Sequence, residues 1–217
     1  MHNVKGNGIP GELQVELNDF NRLRLGGTVN ARVTQCPITS VVIRGDENLL
    51  PLVNFEIDQG VLEIENKRGF TPRLELIIDI CTPTLEGITL SGAADLTAVD
   101  LICEKLELRL SGVGDLNFSG QADYLEVRLT GVGDLLLTGK ATEMDAVVSG
   151  VGDLNAADLE TESVTVKVSG VGDAVVFPRT ALDARVSGVG DVIYYGSPTK
   201  VSRHVSGAGE IIHRNNQ

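Results

Sequence analysis

One hexapeptide, in most copies Ser-Gly-Val-Gly-Asp followed by an apolar residue, recurs seven times between residues 91 and 211. It reads Ser91-Gly-Ala-Ala-Asp-Leu96, Ser111-Gly-Val-Gly-Asp-Leu116, Thr130-Gly-Val-Gly-Asp-Leu135 and Ser149-Gly-Val-Gly-Asp-Leu154. It continues as Ser169-Gly-Val-Gly-Asp-Ala174, Ser187-Gly-Val-Gly-Asp-Val192 and Ser206-Gly-Ala-Gly-Glu-Ile211. The leading residues lie 20, 19, 19, 20, 18 and 19 positions apart, a period near 19. A short fixed period restricts the chain to folds that stack like units. The motif takes 13 of the 25 glycines, so the glycine excess is ordered turn chemistry and not a flexible linker.

A strand of strict period two precedes each hexapeptide. Leu106/Leu108/Leu110, Leu125/Val127/Leu129, Val164/Val166/Val168 and Leu182/Ala184/Val186 alternate with polar residues, which buries one face and wets the other. A second short apolar piece follows each turn, as in Leu116/Phe118, Leu135/Leu137 and Val192/Tyr194. No helical period appears in residues 85–217. A 19-residue unit of short strands cannot bury its own apolar face, but parallel stacking of such units can, and it satisfies the backbone along the ladder. The expected fold is all-β, a parallel β-solenoid (β-helix) with coils of about 19 residues. Seven coils at about 4.8 Å would make a rod roughly 34 Å long. A propeller or meander requires longer units or more varied turns.

The first 85 residues are less regular but still β-like. Leu23-Arg-Leu25-Gly26-Gly27-Thr28-Val29-Asn-Ala31-Arg-Val33 reads as a degenerate coil. Glu47–Val53 has room for a single helical turn before Pro51 interrupts it. The expected organisation is a tail over 1–14 and one solenoid domain over 15–213, then a tail over 214–217. Within the domain, 15–84 form irregular coils and a cap, and 85–213 the regular repeats. Arg203, His204, His213, Arg214, Asn215 and Asn216 make the C-terminal end polar, which protects that edge.

The motif glycines Gly112, Gly114, Gly131, Gly133, Gly150, Gly152, Gly170, Gly172, Gly188, Gly190, Gly207 and Gly209 are assigned to structural turns. Two parities are open at the turn. Leu110, Gly112, Gly114 and Leu116 are all even-numbered, which would send Ser, Val and Asp outward together. A reset at one glycine would instead send Val inward; this is the favoured expectation, since an exposed Val stripe invites aggregation or marks a binding surface. Stacked carboxylates about 5 Å apart repel by roughly 0.8 kcal/mol in water, so the acid column must be wet, hydrogen-bonded or bridged. The expectation is an Asx-type cap on the turn. Calcium bridging through Asp115, Asp134, Asp153, Asp173 and Asp191 is the second option and the sole cofactor considered, and ligand contact is the third.

Catalytic signals are thin. Of the three histidines, His2, His204 and His213, two lie near the chain ends, and the Ser column recurs too often to be one nucleophile. Asp123, Glu126, Arg128, Glu143, Asp145 and Lys167 can share a face, and a solvated charged strand is the expected reason. No strand, Gly-loop and helix stand together to make a phosphate loop. The expectation is a non-enzyme; a polysaccharide-active β-helix enzyme and a purely structural self-assembling rod are the alternatives. Tyr124, Tyr194, Tyr195 and Phe177 are the few aromatic candidates for a ligand face.

A net charge of −12 disfavours nucleic acid and anionic membranes as partners, and no apolar run approaches the roughly 20 residues of a membrane-spanning helix. Cys36, Cys81 and Cys103 lack CxxC or metal spacing; buried free thiols are expected, with one disulfide plus a spare thiol as the alternative. Residues 1–8 carry no apolar signal segment, which read literally means cytoplasmic, or a mature chain with a start Met.

Asp46-Glu-Asn-Leu-Leu-Pro-Leu-Val53, Val61-Leu-Glu-Ile64 and Leu85–Leu96 with the repeated Ser-Gly-x-Gly-Asp resemble the head GIN domain family of auto-transporter adhesins, a bacterial domain of unknown function. The similarity covers residues 15–213, and Val4-Lys-Gly-Asn-Gly8 and Phe20–Leu25 look like the start of a mature member. The resemblance implies a β-solenoid exported to the periplasm or cell surface, with an adhesin-like binding or scaffold role. It implies no catalytic residues. A carbohydrate or an envelope or host protein is the expected class of partner, without membrane insertion, and self-association is open.

Overall fold

The computed structural model describes residues 3–28 and 30–215. Among the described residues ten short strands come first: β1 (Val4–Lys5), β2 (Pro10–Val15), β3 (Arg22–Leu25), β4 (Asn30–Gln35), β5 (Ser40–Asp46), β6 (Val53–Asp58), β7 (Val61–Asn66), β8 (Phe70–Thr71), β9 (Ile77–Thr82) and β10 (Gly87–Leu90). Five long ones follow: β11 (Leu96–Leu110), β12 (Leu116–Leu129), β13 (Leu135–Val148), β14 (Leu154–Val168) and β15 (Ala174–Val186). The chain closes with β16 (Val192–Tyr194), β17 (Lys200–Val205) and β18 (Ile211–His213). Between β5 and β6 lies one 3-10 turn, Leu50–Leu52, with Pro51 in its first turn.

This is the expected parallel β-solenoid. From β11 to β15 each strand pairs with the next in parallel, one coil apart, so Leu106, Leu125, Met144, Val164 and Leu182 stack in register, as do Leu110, Leu129, Val148, Val168 and Val186. These columns are sealed from water and run as one core through the rod. Each long strand bends over an inner corner. In β12 the buried residues are Leu116, Phe118 and Ala122, then Leu125, Val127 and Leu129, so the inward parity switches between Ala122 and Leu125.

The N-terminal third adds coils out of chain order. β3 pairs in parallel with both β7 and β10, and β4 with both β9 and β11. The degenerate coil is therefore a real coil in β3 and β4, inserted between 61–82 and 87–99, with Val29 outside the described residues. Beyond it, β5 and β6 run antiparallel to β9 and β7, and β2 runs antiparallel to β5. Reversing the strand direction ends the stack, which is a way to blunt a solenoid edge. The β6–β7 hairpin turns on Gln59 (φ 47°) and Gly60 (φ 80°), the two positive values that a type I′ turn requires. Residues 10–14, assigned to a tail from sequence, belong instead to β2, and β1 pairs with β8. Leu13 and Val15 give β2 enough alternation to pair with β5, a signal too short to read alone.

Cys36 and Cys81 are disulfide-bonded, with Cα atoms 5.7 Å apart, and Cys103 is the free thiol. The expectation of three free thiols is corrected here. The two partners are 45 residues apart and meet only because β4 and β9 are neighbours.

Candidate functional site

The hexapeptide turns form a face of their own. Ala93, Val113, Val132, Val151, Val171, Val189 and Ala208 pair in parallel bridges along the whole rod. The Val N–H groups bond the coil on one side and the following Gly N–H the coil on the other, as in Val132 N–H to Gly112 O (2.9 Å) and Gly133 N–H to Val151 O (3.0 Å). The parity of the preceding strand continues through the turn. The glycines take the positions that continue the buried Leu rows, and Ser, Val and Asp all point outward.

The inward Val expectation is therefore overturned: Val113, Val132, Val151, Val171 and Val189 are 50–56% exposed. The physical reason lies at the glycines. A Cβ on Gly131 would sit 2.1 Å from Gly112 O, and one on Gly133 2.0 Å from Gly114 O. Coil rests on coil too closely there for any side chain, so no turn residue can fill the corner from inside.

The acid column forms a relay. The Asp95 carboxylate accepts the Asp115 N–H (2.9 Å), Asp115 that of Asp134 (2.9 Å), Asp134 that of Asp153 (2.8 Å), and Asp153 that of Asp173 (2.7 Å). Asp173 accepts from Asp191 and Asp191 from Glu210, each at 2.7 Å. Asn30 starts the column, its Oδ1 accepting the Asp95 N–H at 3.0 Å. The cap is thus made, but to the next coil and not within its own turn. Each link uses one oxygen, Oδ1. Among the described residues no group of three or more His, Cys, Asp or Glu is arranged to hold a metal. The Ser column makes only long bonds, such as Ser111 Oγ to Leu90 O and Ser149 Oγ to Leu129 O, both 3.4 Å.

The charged strand face resolves into ion pairs. Glu107 meets Arg22 and Arg109, Arg109 reaches Glu126 (3.8 Å), and Arg128 joins Glu126 (3.3 Å) to Asp145 (3.2 Å). Lys105 lies over the Tyr124 ring at 5.5 Å, and burial together with the Asp145 and Glu126 charges pushes the Tyr124 hydroxyl above its ordinary range. Glu143, on the Tyr124 row, and Lys167, further along the Arg128 row, stand exposed outside this network. Asp123 lies apart, on an open cleft of 460 Å³ at the inner corner, with Ile102, Cys103, Lys140, Glu162 and Arg179.

Sequence reasoning missed that cleft. Its signal was the adjacent pair Leu101-Ile102 in an alternating strand: Asp100 adopts φ 55°, which turns Leu101 into the core and leaves Ile102 67% exposed. The aromatic candidates do not form a platform. Tyr194 is buried at the C-terminal end, stacked on His213 (4.8 Å between ring centroids) and beneath Arg203 (5.1 Å). Arg203 stands over Ala184 and His213 over Tyr194, so the last coil closes the core with polar groups. Phe177 lies against Gly196, and Tyr195 is half-buried beside it. Asn216 and His2 lie outside the described residues.

The family described as "Putative auto-transporter adhesin, head GIN domain" matches residues 19–198. The chain belongs to this family. Two crystal structures of proteins named as putative adhesins are similar to it: one from Bacteroides fragilis, 27% identical (TM-score 0.91, 97% of this chain and 100% of that one), and one from Parabacteroides distasonis, 25% identical (TM-score 0.77, 98% and 100%). A further Parabacteroides distasonis structure, named as a putative lipid binding protein, shares the fold at 18% identity (TM-score 0.78, 98% and 100%). No protein with a curated function matches the chain.

The geometry also explains the Asp46-Glu-Asn-Leu49 segment of this head GIN chain. Asp46 is fully buried and its carboxylate accepts the N–H groups of Gly8 (2.6 Å), Arg73 (2.8 Å) and Leu74 (3.0 Å). Burial alone would push its pKa up, but the three N–H bonds and the Arg73 charge outweigh it and hold the carboxyl below its ordinary value. Glu47 accepts from the Asn7 side chain (3.1 Å), Asn48 bonds Lys5 O (2.9 Å) and Asn7 N–H (3.0 Å), and Leu49 enters the core. The segment fastens residues 5–8 across the N-terminal end. It is a structural clasp.

Proposed function

We propose that this chain is a non-enzymatic, adhesin-like binding module exported to the cell envelope, and that it binds through the Ser-Val-Asp face. The carrying observation is the row of five half-exposed Val side chains, held in register by the backbone and flanked by a hydroxyl column and a carboxylate column. Soluble proteins rarely leave a contiguous apolar strip in water without a use for it. Membership of an adhesin-named family and the likeness to adhesin-named structures support the same reading. On the charged strand face Glu126 and Asp145 are paired with arginines, which suits a solvated strand more than a general acid and base. No helix among the described residues is long and apolar enough to cross a membrane.

The test is retention of the purified chain on a panel of envelope and host polysaccharides and proteins, beside a V132S/V151S variant. Selective retention lost in the variant is the expected result. Retention indifferent to both substitutions would move the site elsewhere, and the corner cleft would be the next place to mutate.

A further inference from the structure

We propose that a second copy of this chain is a partner of the Ser-Val-Asp face, docked side by side with both rods pointing the same way. The inference rests on reading that face as the binding surface. Its first support is register. The Ser, Val and Asp columns repeat once per coil along a hydrogen-bonded parallel ladder, about 4.8 Å per step. A partner that meets the face at every step must repeat at the same interval, and another copy does so without adjustment.

The second support is complementarity across the face. Ser, Val and Asp stand at positions i, i+2 and i+4 of a turn that bends at both glycines, so the Ser and Asp columns flank Val at no more than about 13 Å from each other. A two-fold axis parallel to the rod lays Val on Val and sets each Ser column opposite the other copy's Asp column. The hydroxyls hold only 3.4–3.5 Å contacts to backbone carbonyls and can donate outward. Each Asp spends Oδ1 on the next coil and makes no hydrogen bond through Oδ2 with the described chain, so Oδ2 can accept.

Electrostatics selects the direction. Rods docked head to foot would lay Asp on Asp, repelling by roughly 0.8 kcal/mol per pair at about 5 Å in water. Rods docked in the same direction set each acid column opposite a Ser column instead of another acid column, and salt screens what repulsion remains over about 8 Å. The face measures at most roughly 13 by 34 Å, so the pair would bury no more than about 900 Å², below the 1,200–2,000 Å² of stable complexes. The contact is weak in solution and gains strength where many copies share a surface. Rods that point the same way belong to the same surface, so the contact gathers neighbours on one envelope.

The experiment uses single-cysteine variants in a Cys103→Ser background, treated with a short bis-maleimide at high protein concentration. Val151→Cys should cross-link to itself several-fold more than Thr165→Cys, an exposed control on another face. Mixing Ser149→Cys with Asp153→Cys should give the mixed dimer in several-fold excess over either self-dimer. Self-dimers of Ser149→Cys in excess would overturn the proposed direction. Yields at the Thr165→Cys level throughout would overturn the pairing; retention on another ligand that still depends on Val151 would then leave the binding reading standing without it.

Discussion

The Asp134 carboxylate accepts the backbone N–H of Asp153, one coil further on, at 2.8 Å. The acid column is therefore part of the backbone ladder, with each carboxylate tying its coil to the next. Asp134→Ala should destabilise the chain by about 0.5–1.5 kcal/mol, the net worth of one hydrogen bond at a site that water can reach. Asp134→Asn should lose less, because Asn30 makes the same bond to the Asp95 N–H. The Tm drop for the Ala variant is then about 1–6 °C for a domain of this size. EDTA and millimolar calcium should leave the wild-type Tm unchanged; a rise with calcium would show that cations bridge the column.

Gly133 is the strictest position in the turn, with φ at +140° and only 2.0 Å between a built Cβ and Gly114 O. Gly133→Ala must bend the backbone out of a glycine-only region and lift one coil off another. The expected loss is at least about 3 kcal/mol. Its neighbour Val132 points to solvent, so Val132→Ala should stay within about 0.5 kcal/mol. Urea unfolding of the two variants gives the comparison, and equal midpoints would contradict the coil contact.

The solenoid was legible because parallel stacking forces every coil to repeat the same short pattern, and Ser111–Leu116 is copied almost unchanged at Thr130, Ser149, Ser169 and Ser187. The direction of Val was misread, although its signal was present. Buried residues step by three at Ala122–Leu125 and Ala141–Met144, which places the parity switch at the inner corner and leaves none for the glycine turn. The place of β3–β4 between later coils was not legible, because neighbours so distant in sequence leave no local trace. The same holds for Cys36 with Cys81, and for Asp46, whose acceptor role exists only once residues 8, 73 and 74 converge.

Asp46 links the N-terminal clasp to pH. Its folded pKa is depressed, so it contributes stability that is fully present above the unfolded value near 3.9 and is lost as pH falls through the lower folded value. Asp46→Asn removes an acceptor and the charge, and should lower Tm at pH 6 and speed amide exchange at Gly8 and Leu74. The gap between wild type and variant should narrow as pH drops below about 4. A gap that stays constant from pH 6 to pH 2.5 would mean the carboxylate charge adds nothing to the clasp.

The cysteines separate by chemistry. Cys36 and Cys81 are bonded, and burial pushes the Cys103 thiol up to about 11, so almost none of it is thiolate near neutral pH. Alkylation of the native chain at pH 7.5 should be far slower than that of an ordinary thiol and should accelerate steadily as pH approaches 10. Unfolded without reductant, the chain should take one alkyl group by intact mass; after reduction it should take three. Three groups without reduction would refute the Cys36–Cys81 bond. Rapid native labelling at pH 7.5 would show that the cleft over Cys103 opens far enough to hydrate the thiol, and that Ile102 beside it does not shield it.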